Sequence, residues 1–149
     1  MSLELFEKFL KENGFSIKPV KSKESTSTAE EAARAHGVPV SNIVKSLLIK
    51  ADGDFFMCLC PGDKKVNFEN LKKKLNKTEL RMANAREVKE ITGHSIGGVP
   101  PFGHKTTLKT IILDGFDEKA PLWAAAGASD TNFESSLSQL KKVISTLSK

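Results

Sequence analysis

The segment with the most unusual composition in this 149-residue chain is Gly97–Gly103, which reads GGVPPFG. Its two prolines fix φ and bias the residues before them toward extended backbone, so we predict a stiff stretch between glycine pivots. The glycines and Phe102 keep their amide donors, and a ligand can approach glycine backbone closely. Free amides beside a rigid bend can hold a carbonyl oxygen or an oxyanion. An ordinary surface loop is the alternative interpretation.

A lysine interrupts the apolar run Ile43–Ile49, which otherwise has the composition of an interior strand. The period of two places Lys45 on the same face as Ile43 and Leu47, where burial of an ammonium without an anion is unfavourable. The ammonium could reach solvent, or it could pair with Asp63 or another carboxylate. The third interpretation is a pocket lysine that awaits a ligand phosphate.

Several chemical motifs are excluded. Residues 98–106 (GVPPFGHKT) approach the phosphate-loop pattern G-x-x-x-x-G-K-[ST], but His104 is inserted before Lys105 and a strand pattern follows where a helix is required. His94 and His104 match no common zinc spacing, and we expect structural or solvated roles for them, with proton transfer as the alternative. Cys58 and Cys60 are expected to be buried free thiols, with a disulfide or metal ligation as the alternative. We therefore expect no metal and no cofactor.

Composition predicts one globular domain over residues 1–149, because 39% apolar and 28% charged residues fit neither a disordered nor a fibrous chain. The apolar stretches are far shorter than the ~20 residues of a membrane helix, and the N-terminus lacks a signal-peptide pattern, so we expect a cytoplasmic protein without membrane contact.

The net charge of +5 favours a polyanionic partner, and it is concentrated in one segment. Residues Lys64–Arg81 contain seven basic and two acidic side chains, a local charge of +5. Lys72, Lys73 and Lys74 lie at its centre. Such a cluster is typical of a phosphate-binding surface, and a solvated helix face is the other interpretation.

Hydrophobic periodicity and capping residues predict the elements that must position these groups. Expected helices cover Leu3–Asn13, the segment from Thr28 to Gly37, the basic segment from Phe68, the segment from Asn84 to Ile91, and Leu137–Leu147. Expected strands cover Phe15–Ile17, Ile43–Lys50, Phe55–Cys60, Glu79–Ala83, Thr106–Leu113, Trp123–Ala126 and Asp130–Phe133. The segment Lys21–Ser27 is expected to be a loop. The sum is an α+β domain with a mostly antiparallel, mixed and barrel-like sheet of about six strands and peripheral helices.

The order of these motifs resembles the YbaK/prolyl-tRNA synthetase-associated editing domain. The resemblance runs from about Thr26 to Leu147 and is carried by six motifs: TAEEAA at Thr28–Ala33, Gly37-Val38, IVKSL at Ile43–Leu47, PGD at Pro61–Asp63, GGVPPFG at Gly97–Gly103, and Ala126-Gly127 before the last helix. The combination of IVK with GGVPPFG is specific.

The resemblance implies a freestanding, metal-free trans-editing deacylase, which hydrolyses the ester between a mischarged amino acid and the 3′ adenosine of a tRNA. A tRNA specific for proline that carries Ala or Cys is the expected substrate. The residue that matches the family's lysine is Lys45, which anchors the substrate's 3′ end. Gly97 and Gly98 lie in the loop that offers amides to the aminoacyl carbonyl, and a ribose hydroxyl of the substrate assists water attack.

Further substrate-binding residues are expected around the same site. They are Ser46, Asp63, Val99, Pro100, Pro101, Phe102, Gly103, Ser129 and Asp130. The family's polar group after Ala126-Gly127 has four candidates here, Ser129, Asp130, Thr131 and Asn132. Lys72, Lys73 and Lys74 are expected at the acceptor stem, and an aminoacyl-tRNA synthetase is a candidate partner. The alternative function is a non-catalytic module that binds tRNA ends or a synthetase.

Overall fold

The computed structural model describes residues 2–147, which form five α-helices and seven strands. The helices are α1 (Ser2–Glu12), α2 (Ala29–His36), α3 (Phe68–Leu75), α4 (Ala85–Thr92) and α5 (Leu137–Leu147). The strands are β1 (Val20–Lys21), β2 (Ile43–Ala51), β3 (Asp54–Pro61), β4 (Leu80–Met82), β5 (Lys109–Ile112), β6 (Leu122–Ala128) and β7 (Thr131–Ser135). Within the described residues, no helix has the length and apolar character to cross a bilayer.

The predicted helix starts are confirmed by side-chain caps. The Thr28 hydroxyl accepts the Glu31 N–H at 3.1 Å, while the Glu31 carboxylate accepts the Thr28 N–H at 3.2 Å. Asn84 and Glu87 form the same reciprocal pair at α4, and Asn67 caps α3. Each cap satisfies main-chain amides that the first helical turn leaves without partners. Sequence alone could predict these ends because cap and partner lie three residues apart.

All seven strands belong to one mixed sheet with the order β1-β7-β6-β2-β3-β5, and β4 pairs separately with β2. The β2–β3 hairpin is antiparallel, as predicted, while β2–β6 and β3–β5 are parallel. The α+β prediction is confirmed, but the barrel-like closure is wrong. The ends of the strand order are β1, with two residues, and β5, with four, and such short strands offer few groups for closure.

The largest core lies on one face of the sheet. Val44 and Leu48 of β2 pack there with Phe6 of α1 and Leu140 of α5. The neighbouring positions of β2 point to the opposite face, because side chains alternate along a strand. There Ile43 packs against α2, and Ile49 packs against α3. Helices on both faces therefore hold β2 in the middle of the fold.

The strand predicted at Phe15–Ile17 is wrong. Ile17 is buried in the main core, but it forms no strand, and the strand β1 lies at Val20–Lys21. Apolar side chains can enter a core without strand pairing, so the alternating apolar residues Phe15 and Ile17 were misinterpreted as a strand. Pairing with Asn132 and Thr131 of β7 places the strand farther along, where a loop was expected to begin.

Candidate functional site

A cavity of about 290 Å³ opens where β2 lacks a continuous neighbour. One edge of β2 pairs with β3 along almost its whole length. The other edge pairs with β6 only at Ile43–Val44 and with β4 only at Ile49–Ala51. The cavity is bordered by the β2 segment between them, the start of α2, the end of β4, and residues 96, 97 and 99.

Lys45 borders this cavity and is half-buried, on the same face as Ile43 as its spacing predicted. Its Nζ donates a hydrogen bond to the carbonyl oxygen of Lys64. The partner is therefore a main-chain dipole and not the Asp63 carboxylate. A neutral partner leaves the ammonium charge uncompensated, so an anion that enters the cavity can still pair with it.

Ser46, the next residue, presents a hydroxyl that is fully enclosed and has no hydrogen-bond partner. It also borders the cavity. The Leu48 carbonyl accepts the Ala83 N–H at 2.9 Å, so the main-chain groups of Leu48 point to the interrupted edge. Because these groups alternate between the two edges of a strand, those of Ser46 point into the same gap. Buried polar groups nearly always have partners, so an unpaired hydroxyl here points to a ligand.

The glycine loop reaches the cavity through Gly97. Its φ is +95°, and a Cβ added there would lie 2.9 Å from Cβ of Ser27. Only glycine fits this position without displacement. Within residues 2–147 the Gly97 N–H forms no hydrogen bond, so it is available as a donor.

Gly98 is placed differently from its neighbour. Its N–H donates to the Ser95 carbonyl at 3.0 Å, and its own carbonyl accepts the Gly127 N–H at 2.9 Å. A Cβ at Gly98 would lie 3.0 Å from the Ala128 backbone. The predicted pair of amide donors is thus divided, since Gly97 has a free N–H and Gly98 holds the loop against the end of β6.

The second half of the loop lies in the core. Pro100, Pro101, Phe102 and Gly103 are buried and do not line the cavity. Phe102 is 2% exposed, and its ring centroid lies 5.8 Å from that of Phe6 and 5.7 Å from that of Phe133. Val99 is the last loop residue that borders the cavity.

Two histidines brace this buried half. Nε2 of His94 hydrogen-bonds the Gly103 carbonyl at 2.9 Å, and Nε2 of His104 hydrogen-bonds the Pro100 carbonyl at 2.7 Å. Burial lowers the pKa of His94 and lowers that of His104 to about 4. Both imidazoles are therefore neutral at physiological pH, and each donates a hydrogen bond from Nε2–H to a carbonyl oxygen of the loop. This geometry supports the expected structural role.

The polar residue that faces the cavity after Gly127 is Asn132, which is 2% exposed. Its Oδ1 lies 3.1 Å from Nε2 of His36, and the His36 ring stacks on Trp123 with centroids 3.8 Å apart. Of the four candidates in the sequence, Asn132 alone borders the cavity. The strand expected at Asp130–Phe133 also contains Asp130 and Thr131, so no local feature of the sequence separates Asn132 from them.

Three other predicted binding residues lie outside the cavity lining. Asp63 and Ser129 are exposed, and Asp130 is half-buried. The carbonyl of Ser129 accepts the Thr26 N–H at 2.7 Å, which joins the β6–β7 turn to the segment before α2. The structure therefore gives Ser129 a role in holding the cavity wall.

The start of α2 supplies that wall. Thr26, Ser27 and Thr28 border the cavity, and the Glu31 carboxylate accepts hydrogen bonds from the hydroxyls of Ser25 and Ser27. These bonds, the Ser27 bond foremost, lower the pKa of Glu31. The wall is thus ordered by a charged acceptor that stays ionised near neutral pH.

The basic segment lies on and around α3. Lys73 and Lys74 are exposed, while Lys72 is half-buried and pairs with Glu69 at 3.2 Å. Lys77 pairs with Asp54 at 2.9 Å. Part of the local charge is therefore compensated, and Lys73 and Lys74 are exposed together with Lys64 and Lys65.

Both cysteines are free and buried, as predicted. Burial raises the pKa of Cys58 to about 12, so this thiol is not ionised at neutral pH. Burial also raises the pKa of Cys60, against the opposing effect of the Lys45 ammonium. Within the described residues, no group of three or more His, Cys, Asp or Glu side chains could hold a metal ion.

Comparison with known proteins places the sequence in a protein family. The profile of the aminoacyl-tRNA editing domain matches residues 23–143. A proline–tRNA ligase of Bacillus licheniformis is 40% identical over 109 residues, which are 73% of this chain and 19% of the ligase. The uncharacterized protein YwhH of Bacillus subtilis is 42% identical over 83 residues, 53% of this chain and 50% of that protein. The chain thus spans about a fifth of the ligase and half of YwhH.

A solved structure extends the similarity to the whole fold. The crystal structure of a proposed trans-editing enzyme for prolyl-tRNA synthetase superposes with a TM-score of 0.89 at 32% sequence identity. The superposition covers 97% of this chain and 92% of that one. The described helices and strands are therefore those of a known domain architecture.

Proposed function

Because the chain belongs to the aminoacyl-tRNA editing domain family, we propose that it is a trans-editing deacylase, which hydrolyses the ester of a mischarged tRNA. The proposed substrate is a tRNA specific for proline that carries Ala or Cys. The observation that carries the proposal is that Lys45 and Gly97 border one cavity and that, within the described residues, the Gly97 N–H forms no hydrogen bond. A cation and an amide donor there suit a ligand with a phosphate and a carbonyl.

The chemistry we propose needs only these groups and the substrate. A water oxygen attacks the aminoacyl carbonyl carbon, and the Gly97 N–H stabilises the negative charge that develops on the carbonyl oxygen. The ester C–O bond then breaks, and the ribose oxygen leaves with the proton that the attacking water loses. The neighbouring ribose hydroxyl assists the water. Lys45 exchanges its Lys64 carbonyl for the terminal phosphate, which fixes the ester at the loop.

The cavity favours a small amino acid. Its volume of about 290 Å³ lies at the lower end of the range for small-molecule sites, and it must also admit part of the ribose. Val44, Leu48, Val88 and Val99 supply apolar walls. One methylene changes selectivity by only ~1–3 kcal/mol, so these walls exclude large side chains more strongly than they rank small ones.

The proposed partners follow from the substrate. We assign Lys72, Lys73 and Lys74 to the phosphates of the acceptor stem, and a prolyl-tRNA synthetase is the candidate source of the mischarged tRNA. Since aminoacyl-tRNA is consumed in translation, we expect the reaction in the cytoplasm.

Deacylation of alanyl- and cysteinyl-tRNA specific for proline tests the reaction. The wild type should release both amino acids, and Lys45→Ala should lose about a hundredfold or more in kcat/KM. Lys50→Ala is the matched control, because Lys50 is also half-buried on β2 but does not border the cavity. If the wild type binds these tRNAs without releasing any amino acid, the non-catalytic module is correct. If Lys45→Ala retains full activity, Lys45 is not in the site.

A charge reversal tests the stem surface. Glutamate at positions 72, 73 and 74 should raise KM for the tRNA about tenfold or more and flatten its salt dependence, since fewer counterions are released on binding. The control reverses three exposed lysines outside the basic segment, Lys8, Lys141 and Lys142. Equal KM values in both triple variants would contradict the assignment.

A further inference from the structure

Exposed apolar side chains are concentrated at the mouth of the cavity. Three large hydrophobic residues in the described chain are exposed, Val20 at 44%, Met82 at 42% and Ile96 at 60%. Met82 and Ile96 both border the cavity, and Val20 does not. They come from separate parts of the fold, because Met82 ends β4 and Ile96 immediately precedes the Gly97–Gly103 segment. We call these two side chains the apolar rim.

We propose that the apolar rim holds the adenine base of the tRNA's terminal nucleotide, an inference that rests on the proposed function. Ile96 immediately precedes Gly97, so it lies beside the donor that faces the ester. The adenine is joined to that ester through a single ribose. A base therefore has to lie close to the mouth once the aminoacyl group occupies the interior.

The chemistry of the rim suits a flat ring. Every base has an apolar face that stacks in a sequence-tolerant way, and apolar side chains at a site lose contact with water when the base covers them. Methionine is well adapted to this contact, because its flexible, polarizable thioether packs favourably against aromatic rings. The phosphate of the same nucleotide would bind Lys45, which borders the cavity from β2.

Because the rim side chains are exposed, they can be substituted with little effect on the stability of the fold. Isolated exposed hydrophobic residues are common and need no explanation by themselves. Two of three at one cavity mouth, beside a free amide and an unpaired hydroxyl, are explained by a ligand that covers them. Polar substitutions at these positions should leave the core intact, so any change can be assigned to binding.

The test uses a hydrolysis-resistant probe, so it does not depend on turnover. The probe is a short RNA that ends in CCA, with alanine joined to the terminal 3′ position by an amide. A second probe ends in cytidine. Binding of both to the wild type, Ile96→Ser, Met82→Ser and the control Val20→Ser is measured by fluorescence anisotropy.

We expect each rim substitution to weaken binding of the adenosine probe about five- to tenfold, the latter equal to ~1.4 kcal/mol. Val20→Ser should bind like the wild type. The cytidine probe should bind the wild type more weakly and should lose less from the rim substitutions, because the two changes remove the same contact.

Three results would overturn the assignment. They are unchanged binding in both rim variants, an equal loss in Val20→Ser, or equal losses with the two probes. The last result would assign the rim to another part of the tRNA. Deacylation assays on the same proteins separate failure of the rim assignment from failure of the proposed reaction. Tight binding of the probe without hydrolysis of the substrate would contradict the proposed reaction and leave the rim assignment intact.

Discussion

The two halves of the Gly97–Gly103 segment differ in environment although they are continuous in sequence. Gly97 borders the cavity with a free N–H, whereas Phe102 lies in a cluster of aromatic rings that is closed to solvent. His94 and His104 hold the buried half by its carbonyl oxygens. The comparison teaches that a continuous motif can combine a binding half with an anchoring half. Substitutions should therefore separate activity from stability along the segment.

The largest effect is expected in the anchoring half. Phe102→Ala should lower the free energy of unfolding by about 3–5 kcal/mol, because it removes a ring from a closed cluster. Denaturant unfolding measures this loss. The milder Phe102→Leu keeps more of the protein folded, and its kcat/KM per folded molecule should match the wild type. A large loss of kcat/KM in a fully folded Phe102→Leu protein would contradict the division into two halves.

The second prediction concerns pH. The pKa of His104 is about 4 in the fold and 6.5 ordinarily, so the fold favours the neutral imidazole. This contribution is fully present above pH 6.5 and is lost as the pH falls toward 4, by roughly 3 kcal/mol in all. His104→Gln keeps a donor near Pro100 but does not titrate. Stability curves of the two proteins between pH 7 and 4 should converge, and parallel curves would refute the buried neutral imidazole.

The binding half should respond in activity. Gly97→Ala should reduce kcat by about a hundredfold, the usual loss when one donor to an oxyanion is misplaced. The control is Gly53→Ala, since Gly53 has a φ of +96° but no atom within 4 Å of its added Cβ. Both variants should lose stability from backbone strain, and Gly97→Ala should lose more because its Cβ would also lie 2.9 Å from Cβ of Ser27. Only Gly97→Ala should lose activity. Equal activities would remove Gly97 from the site.

The smallest effect is expected at Ser46 and concerns which amino acid the cavity prefers. Ser46→Ala should lower the preference for cysteinyl- over alanyl-tRNA about fivefold, because the Ser46 hydroxyl can hydrogen-bond a thiol but not a methyl group. Stability should not fall, since the removed hydroxyl has no partner in the fold. Competition between the two substrates measures the ratio. An unchanged ratio would show that Ser46 does not contact the amino-acid side chain.

Much of the fold could be predicted because its signals are local. The β2–β3 hairpin follows from two apolar runs around Asp52-Gly53, and the caps at Thr28 and Asn84 follow from residues three positions apart. The separate pairing of β4 and β6 with β2 could not be predicted. It depends on contacts between distant segments, for which periodicity carries no information.

The site shows the same division between local and distant information. Lys45 stood out because it is a charge in an apolar strand, and the structure places it at the cavity. Asn132 was indistinguishable from its polar neighbours until the β6–β7 register placed it opposite Ala125. Phe102 and Gly103 shared a motif with Gly97, and only tertiary packing shows that they lie in the core.

The interrupted edge of β2 has a consequence for how selectivity can change. The cavity floor is built partly from peptide groups, which every amino acid carries, while the walls come from side chains on other elements. Mutations in those walls can therefore alter which ligand is accepted and leave the polar floor in place. An engineer could exploit this separation by randomising Val88, Ile96 and Ala125, which border the cavity from three different elements, without altering the strand beneath.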